Sequence, residues 1–531
     1  INESKAYFTI GDQNDYDYYV NTLSTLFFNV LNNEDHAEFD PITPYLNGGL
    51  FDQKSDGEYW NTNAPTFPTG FFKTLYDHFS SFNFTTDEST PEYEQIAIDP
   101  EMLGRIFESF LATLKTETGA QAKKANGAFY TPREIVSYMC RESLRQYLYT
   151  ALDASVTLKG SIDDLLDRSD SEWALAGTNS KRDAVAKEDR QRIMDALRDI
   201  RVLDPAVGSG AFPMGILHKI LSLFERLEPS FDPYEKKLSI LRKNIYGVDI
   251  DPTAIEICRL RAWLSIIVDV KDIKKIKPLP NLDFKFVCAN SLIGLEKGQA
   301  SFTTDEKLKP ELIRIRDEYY ATSSKLKKDK FQKQYTKLTH KETLFDTEET
   351  RQLKSYRPFE NGRGTSFYDP ELMHGVNLFD VIIGNPPYGA SLKGLSRDAV
   401  VKSLGKVPDY EVYYYFIELA KMLLLNNGVN SYILPNTFLF NVFASEYRKN
   451  ILENWHINTL IDCTAFKLFD SATVYNAITV FTKSKDSRIV GYKNTLGAKN
   501  FNDLLCRETL YITKDNLLLN NTNWGLAFKL S

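Results

Sequence analysis

From residue 200 onward the sequence predicts a doubly wound α/β fold with a mostly parallel sheet, and ahead of it an α-helical N-terminal domain. Three observations lead there. Short apolar segments alternate with amphipathic stretches of helical period. Several of those stretches begin at a proline or directly behind a glycine turn, as helices that follow strands do. The chemically useful polar residues fall just after the apolar segments, where an open α/β sheet forms its ligand crevice.

Residues 1–125 read as helical and acidic, broken by Asn47-Gly48-Gly49 and the Pro65–Pro68 stretch. The clearest helix there starts at Asp99-Pro100, a cap followed by proline, and carries Leu103, Ile106, Phe107, Phe110 and Leu111 on one face. Lys123 to Gly127 form a polar linker, and Pro132 opens a helix to about Tyr149. Residues 153–190 are polar, a loop-rich or helical insertion.

Seven strand segments follow. Val202-Leu203-Asp204 leads into a helix with Phe212, Ile216, Leu217, Ile220, Leu221, Phe224 and Leu227 on one face. Ile245–Asp249 precedes a helix over Pro252–Val268, and Phe284–Cys288 is the third strand. Phe379–Gly384 is the fourth, with a polar insertion of about 296–370 before it. Helix Tyr413–Leu425, strand Val429–Leu434, a helix over 439–453 and strands at 457–461 and Tyr475–Thr482 complete the series.

The net charge of −7 argues against a nucleic-acid partner only as an average. Residues 1–104 hold 3 Lys, no Arg and 18 acids, a charge of −15, and the rest of the chain is +8. The leader is therefore expected to face solvent or another protein domain. Residues 325–341 contain seven Lys against Asp329 alone. They read either as a solvated loop or helical hairpin, or as an element that contacts phosphates.

Five scattered Cys without a C-x-x-C pair support neither a zinc site nor a redox motif, and suit a reducing compartment. No H-E-x-x-H and no apolar run of 18 residues occurs, so neither a zinc protease nor a membrane span is expected. The polar, acidic first twenty residues do not resemble a signal peptide, and Ile1 in place of Met suggests a fragment.

Asp204-Pro205-Ala206-Val207-Gly208-Ser209-Gly210-Ala211-Phe212 is a strand end, a glycine turn and a helix start. Glycines let a ligand approach the backbone, and the helix N-terminus offers free N–H groups. Pro213 stands where a dinucleotide fingerprint needs its third glycine, and no P-loop pattern occurs, so neither NAD nor ATP fits. Asp249, ending the second strand, can accept from vicinal ribose hydroxyls, with Ile250 placed to pack on an adenine face. Asn290, after the third strand, can read an adenine edge. After the fourth strand, Asn385-Pro386-Pro387-Tyr388 forms a rigid turn, because each proline fixes φ and removes a donor. The Asn385 side-chain oxygen and the Pro386 carbonyl make an acceptor pair for a planar amino group. Accepting both hydrogens draws the nitrogen lone pair out of conjugation, and Tyr388 can stack on the attached ring.

These motifs resemble those of S-adenosylmethionine-dependent DNA adenine-N6 methyltransferases of the gamma class, over about 127–485. Gly127 to Pro132, with Tyr130, Thr131 and Pro132, resembles the entry motif near the methionine moiety. Asp204, Pro205, Ala206, Gly208 and Gly210 resemble the glycine motif. Gly247 to Pro252, with Asp249 and Ile250, resembles the ribose and adenine contact; Asn290 and Ser291 resemble the adenine-amino contact. Asn385, Pro386, Pro387 and Tyr388 match the catalytic motif. The resemblance implies a seven-stranded Rossmann-like methyltransferase sheet, S-adenosylmethionine as cofactor, S-adenosylhomocysteine as product, and no metal. It also implies a flipped target adenine in double-stranded DNA, stacked by Tyr388 and, on its far face, by Phe469, with Phe466 and Tyr475 as alternatives.

The leader and the entry motif further resemble type IIG restriction–modification polypeptides, which join nuclease, connector, methyltransferase and target-recognition domains. This implies a connector over 1–125, a methyltransferase domain over 126–485 and the start of a target-recognition region over 486–531, in a prokaryotic cytoplasm. No D…E-x-K nuclease site stands in a suitable setting; Glu235-Lys236-Lys237 has the spacing but lies inside the methyltransferase core. Alternatives are a BREX-type phage-defence methyltransferase, a protein-glutamine or cytosine-N4 amino-methyltransferase, and a catalytically silent DNA-binding scaffold.

Overall fold

The computed structural model describes residues 7, 9–33, 43, 45 and 66–80, then 131–530 apart from 169–171, 174–184, 229, 231, 268–281, 297–306, 323, 342–345, 361–362, 389–390, 409, 470–473, 486–488, 494, 496 and 506. The leader helix at Asp99–Leu111, the 123–127 linker and Tyr130 lie outside these residues. In the described part of the leader, helical turns over 15–30 and a helix at Phe71–Ser80 are present. Asp15 ties them together by accepting from Gly70 N and Phe72 N.

Among the described residues nine strands form one sheet: β1 Val202–Asp204, β2 Ile245–Asp249, β3 Phe286–Cys288, β4 Phe379–Gly384, β5 Leu424–Pro435, β6 His456–Asp462, β7 Asn476–Thr482, β8 Ile489–Lys493 and β9 Leu510–Thr513. Their order is β3-β2-β1-β4-β5-β7-β6-β8-β9. The pairs among β1 to β5 are parallel, β7 runs antiparallel to both β5 and β6, and β9 runs antiparallel to β8. The sheet is thus mixed, and the expected seven strands fall two short. The extra pair lies past residue 485, where β8 adds in parallel beside β6; the alternation signal in the sequence ends earlier because Gly491 interrupts β8 and Tyr511 on β9 is 70% exposed.

β3 starts two residues later than expected. Lys285 N and Phe286 N both return to Leu282 O, closing a turn where an extended strand was anticipated. β5 begins at Leu424, so the preceding helix ends at Leu423. The 439–453 segment begins at the end of a 3₁₀ turn at Asn436–Leu439 and continues with a second at Val442–Ala444 and a helix at Ser445–Asn454.

Alternation along the strands sends side chains to two cores. Val202, Ile245, Val381, Ile383, Val429 and Ile433 face one, with helices α1 (Arg133–Ala151) and α2 (Ala211–Leu227). Leu203, Tyr246, Val248, Ile382, Tyr432 and Leu434 face the other. Each such Ile, Leu or Val side chain contributes roughly 1.5–3 kcal/mol by burial. Helix α3 (Pro252–Ile267) follows β2. The insertion between β3 and β4 folds as a helical hairpin, α4 (Leu308–Ala321) and α5 (Lys325–Thr339), followed by α6 (Glu348–Ser355). Among the described residues no helix is long and apolar enough to cross a membrane.

Candidate functional site

The strand order reverses between β1 and β4, which neighbour each other although β2 and β3 lie between them in sequence. The crevice outside the carboxyl ends at such a switch point is where open α/β sheets bind ligands. Asp204 ends β1 and Asn385 follows β4, so the glycine motif and the Asn-Pro-Pro-Tyr turn meet there.

The loop from β1 to α2 is held from both sides. Val207 N donates to Val248 O, and Gly208 N donates to Asp249 Oδ2 at 2.8 Å. The buried Arg261 of α3 donates to Ser209 O and Oγ. Gly210 has φ 90°, and a Cβ there would lie 2.7 Å from Cys258 Sγ, so both its conformation and its neighbour require glycine. Asp249 also accepts from Asp251 N at 2.9 Å. Its carboxylate therefore braces the glycine loop, and of its roughly four lone-pair sites about two are left for a ligand.

Asp204 is 2% exposed. Oδ1 accepts from Ala206 N at 3.1 Å, while Oδ2 is buried and has no hydrogen-bond partner among the described residues. Burial pushes this carboxyl well above its ordinary value, and the negative charge of Asp249 pushes it further. Burial likewise raises Asp249, against its backbone hydrogen bonds. Gly384 explains how β4 passes so close: a Cβ there would lie 2.7 Å from Asp204 Oδ1. The strand pattern gave no sign of this contact.

Asn385 Nδ2 donates to Thr131 Oγ1 at 3.4 Å. Thr131 is buried just before α1, and Pro132, at φ −56° and ψ 146°, leads into that helix. Two motifs far apart in sequence are thus joined. Tyr388 is 2% exposed, and its hydroxyl accepts from Asn476 Nδ2 at 3.2 Å. Burial raises its phenol. Asn476 opens β7 and was missed in the sequence, since nothing near it is patterned as a motif. Asn436, after β5, donates through Nδ2 to Thr464 Oγ1 at 3.1 Å, and its N–H donates to Tyr475 O. These bonds tie together the loops beyond β5 and β6 and the start of β7.

On the β2–β3 side, Ile250 is 66% exposed, unusual for isoleucine. Asn290 Oδ1 accepts from Leu292 N at 3.1 Å, Asn290 N donates to Thr365 O, and Ser291 is buried. Thr365, at the end of the insertion, bridges in parallel to Ala289 and so completes this edge of the crevice. Phe469 is buried in the core that holds α1, whereas Tyr388 lies in the core of the opposite face. Phe466 packs half-buried on the same core as Phe469, and Tyr475 is exposed.

Residues 243–469, from the end of the helix before β2 to Phe469, match the Eco57I restriction-modification methylase family model. RM.MjaORFECS2P of Methanocaldococcus jannaschii, whose name places it with type II restriction enzymes and methyltransferases, is 27% identical over 557 residues, covering 88% of this chain and 45% of that protein. The type II restriction enzyme and methyltransferase RM.Eco57I of Escherichia coli is 24% identical over 310 residues, covering 56% of this chain and 24% of that protein. The chain thus spans less than half the length of these relatives. The structure of the type IIL restriction-modification enzyme MmeI in complex with DNA is similar in fold, with TM-score 0.50 and 14% identity, over 93% of this chain and 52% of that one. Residues 243–469 are thus similar to restriction-modification methylases of the Eco57I type, and the chain over most of its length is similar to type II restriction–modification enzymes.

Proposed function

We propose that this chain transfers a methyl group from S-adenosylmethionine to N6 of adenine in double-stranded DNA, as the modification activity of a restriction–modification polypeptide. The observation that carries the reading is the meeting of Asp204 and the Asn385 turn at the β1/β4 switch point, with Asn385 fixed to Thr131.

The residues present fit the cofactor. A buried carboxylate oxygen without a partner among the described residues, Asp204 Oδ2, suits a cationic ligand. The close backbone at Gly208 and Gly210, with Pro205 and Ala206, suits its approach to the loop. The remaining lone pairs of Asp249 suit ribose hydroxyls, the exposed Ile250 suits an adenine face, and Asn290 with Ser291 suits its amino edge. Tyr130, Thr131 and Pro132 are assigned to the methionine end. When bound, S-adenosylmethionine supplies an electrophilic methyl group on its sulfonium.

Asn385 Oδ1 and the Pro386 carbonyl accept the two hydrogens of the target amine, which points the nitrogen lone pair outward. Pro386 and Pro387 bring no N–H donor to the turn that would compete for those acceptors. Positioning and exclusion of water do the rest. Tyr388 stacks on one face of the flipped base, and Phe469 is assigned to the other, which requires it to leave the core in which it is buried. The partners are duplex DNA and, in the same polypeptide, nuclease and target-recognition domains.

The test is single-turnover transfer from labelled cofactor to duplex DNA, RNA and protein, followed by base-resolved mapping. Label on adenine N6 of duplex DNA, lost in Asn385→Ala, is the expected result. Label on cytosine or on a protein glutamine overturns it.

A further inference from the structure

The charges of the helical insertion divide into two kinds. On α4 and α6 the basic groups are paired: Arg314 with Glu311 and Glu318, Lys309 with Asp369 and Glu371, Arg351 with Glu348, and Lys354 with Asp346. On α5 they are not. Lys327, Lys330, Lys333, Lys337 and Lys341 are all exposed, and none forms an ion pair among the described residues.

Spacings of three and four residues, at 3.6 residues per turn, put Lys327, Lys330, Lys333 and Lys337 within an arc of about 120°, and Lys341 follows two residues past the helix end. The buried Tyr335 and Thr339 and the half-buried Phe331 and Leu338 occupy the other side of the helix. Asp329, the acid of this helix, is half-buried. The result is a single-sign stripe roughly 20 Å long, at 1.5 Å per residue. Like charges so placed repel one another, and a folded chain gains nothing from that arrangement unless a polyanion covers it.

The position of the stripe is also defined. Lys328 lies over Tyr319, which packs edge-on against Phe284 just before β3. At the other end, His340 is hydrogen-bonded to Glu360 at 2.8 Å, in the segment that returns to Thr365 beside Ala289. One end of α5 is thus tied through Tyr319 to the segment before β3, and the other through Glu360 to the segment that returns beside Ala289.

We infer that the α5 stripe is a DNA-backbone site separate from the catalytic crevice, contacting phosphates beside the methylated position. This rests on the proposed action on duplex DNA. Over about 20 Å a duplex presents about a dozen phosphates, so each ammonium can find one. Lysine suits the task, being a point charge on a flexible stem that follows the backbone without reading sequence.

The test compares the chain with a variant carrying Lys→Gln at all five positions, since glutamine keeps nearly the helix propensity of lysine. Affinity for duplex DNA is measured between about 50 and 200 mM salt. At about 0.9 per phosphate contact, the slope of log K against log salt should fall by about 3 to 4.5. Cofactor affinity and single-turnover methyl transfer at saturating DNA should stay unchanged, and a Lys→Arg version should keep the slope. If the unaltered chain binds duplex DNA without salt dependence or not at all, this assignment and the reading beneath it both fail. If it binds and methylates DNA with a slope that the glutamine variant leaves unchanged, this assignment alone fails, and the stripe belongs to an acidic protein partner.

Discussion

Asn385, directly after β4, donates through Nδ2 to Thr131 Oγ1, joining the acceptor turn to the segment that opens α1 across 254 residues of chain. The bond sets the rotation of the amide. Because the nitrogen and oxygen of an amide diverge from one trigonal carbon, turning Nδ2 to Thr131 turns Oδ1 away from Thr131, as an acceptor for a separate amine must be. Thr131→Val keeps the shape and removes the acceptor. The single-turnover rate at saturating cofactor should fall about tenfold, the scale of one net hydrogen bond, and Thr131→Ser should restore it. Asn385→Ala removes the acceptor itself and should cost about 100- to 1000-fold. A Thr131→Val enzyme with an unchanged rate would show that the amide is fixed by other contacts.

Gly384 and Asp204 give the second prediction. A methyl at Gly384 would stand 2.7 Å from Oδ1 and 3.3 Å from Cγ of a carboxylate that is itself buried. Gly384→Ala should cost about 1–3 kcal/mol in stability through overpacking and weaken cofactor binding at least tenfold. Adding Asp204→Ala removes the clash, so the stability losses should be strongly non-additive in a double-mutant cycle. Additive losses in thermal or denaturant unfolding would place the strain elsewhere.

Asp249 holds two backbone N–H groups, Gly208 and Asp251, as well as facing the crevice. Asp249→Ala frees both and should weaken S-adenosylmethionine binding by about 10- to 100-fold, in line with about 1.5–3 kcal/mol for a hydrogen bond to a charged group. Asp249→Asn keeps a single side-chain oxygen and should fall between. Calorimetric titration measures both, and an unchanged affinity in Asp249→Ala counts against the assigned role.

What the sequence revealed and what it hid follow from distance along the chain. The glycine loop and the Asn-Pro-Pro-Tyr turn were legible because each is contiguous, with backbone needs that only Gly and Pro meet. The bonds Asn385–Thr131, Tyr388–Asn476 and Asn290–Thr365 were not, because each links segments whose proximity exists only after the sheet forms. Gly384 looked like an ordinary strand end until Asp204 was seen against it. The lysine cluster at 325–341 was visible as charge, but its division into an exposed stripe and a buried face needed the helix. Phe469 could be aligned with a motif, yet its burial among the α1 core could not be read from spacing. β8 and β9 escaped because an edge pair with one exposed face carries a weak alternation signal.

The last prediction concerns pH. Burial, with the Asp249 charge adding to it, holds the Asp204 carboxyl well above its ordinary value, while the Ala206 N–H offsets this only in part. A cationic ligand beside it favours the ionised form and lowers that value again. S-adenosylmethionine affinity should therefore rise with pH through the window between the bound and free values and level off above it, with a proton released on binding. Calorimetry in two buffers of different ionisation enthalpy reads that proton directly. S-adenosylhomocysteine, which lacks the sulfonium charge, should release less, and Asp204→Asn should release none. The same raised value predicts the sign of the stability effect. The folded state holds this proton more tightly than the unfolded chain, so stability due to Asp204 is fully present below the unfolded value near about 4 and is lost as pH rises toward the folded one. Asp204→Asn should accordingly raise the melting temperature by about 2–4 °C at pH 8 and leave it nearly unchanged at pH 4. A melting-temperature gain that is equal at both pH values would show that the carboxyl is not held protonated by the fold.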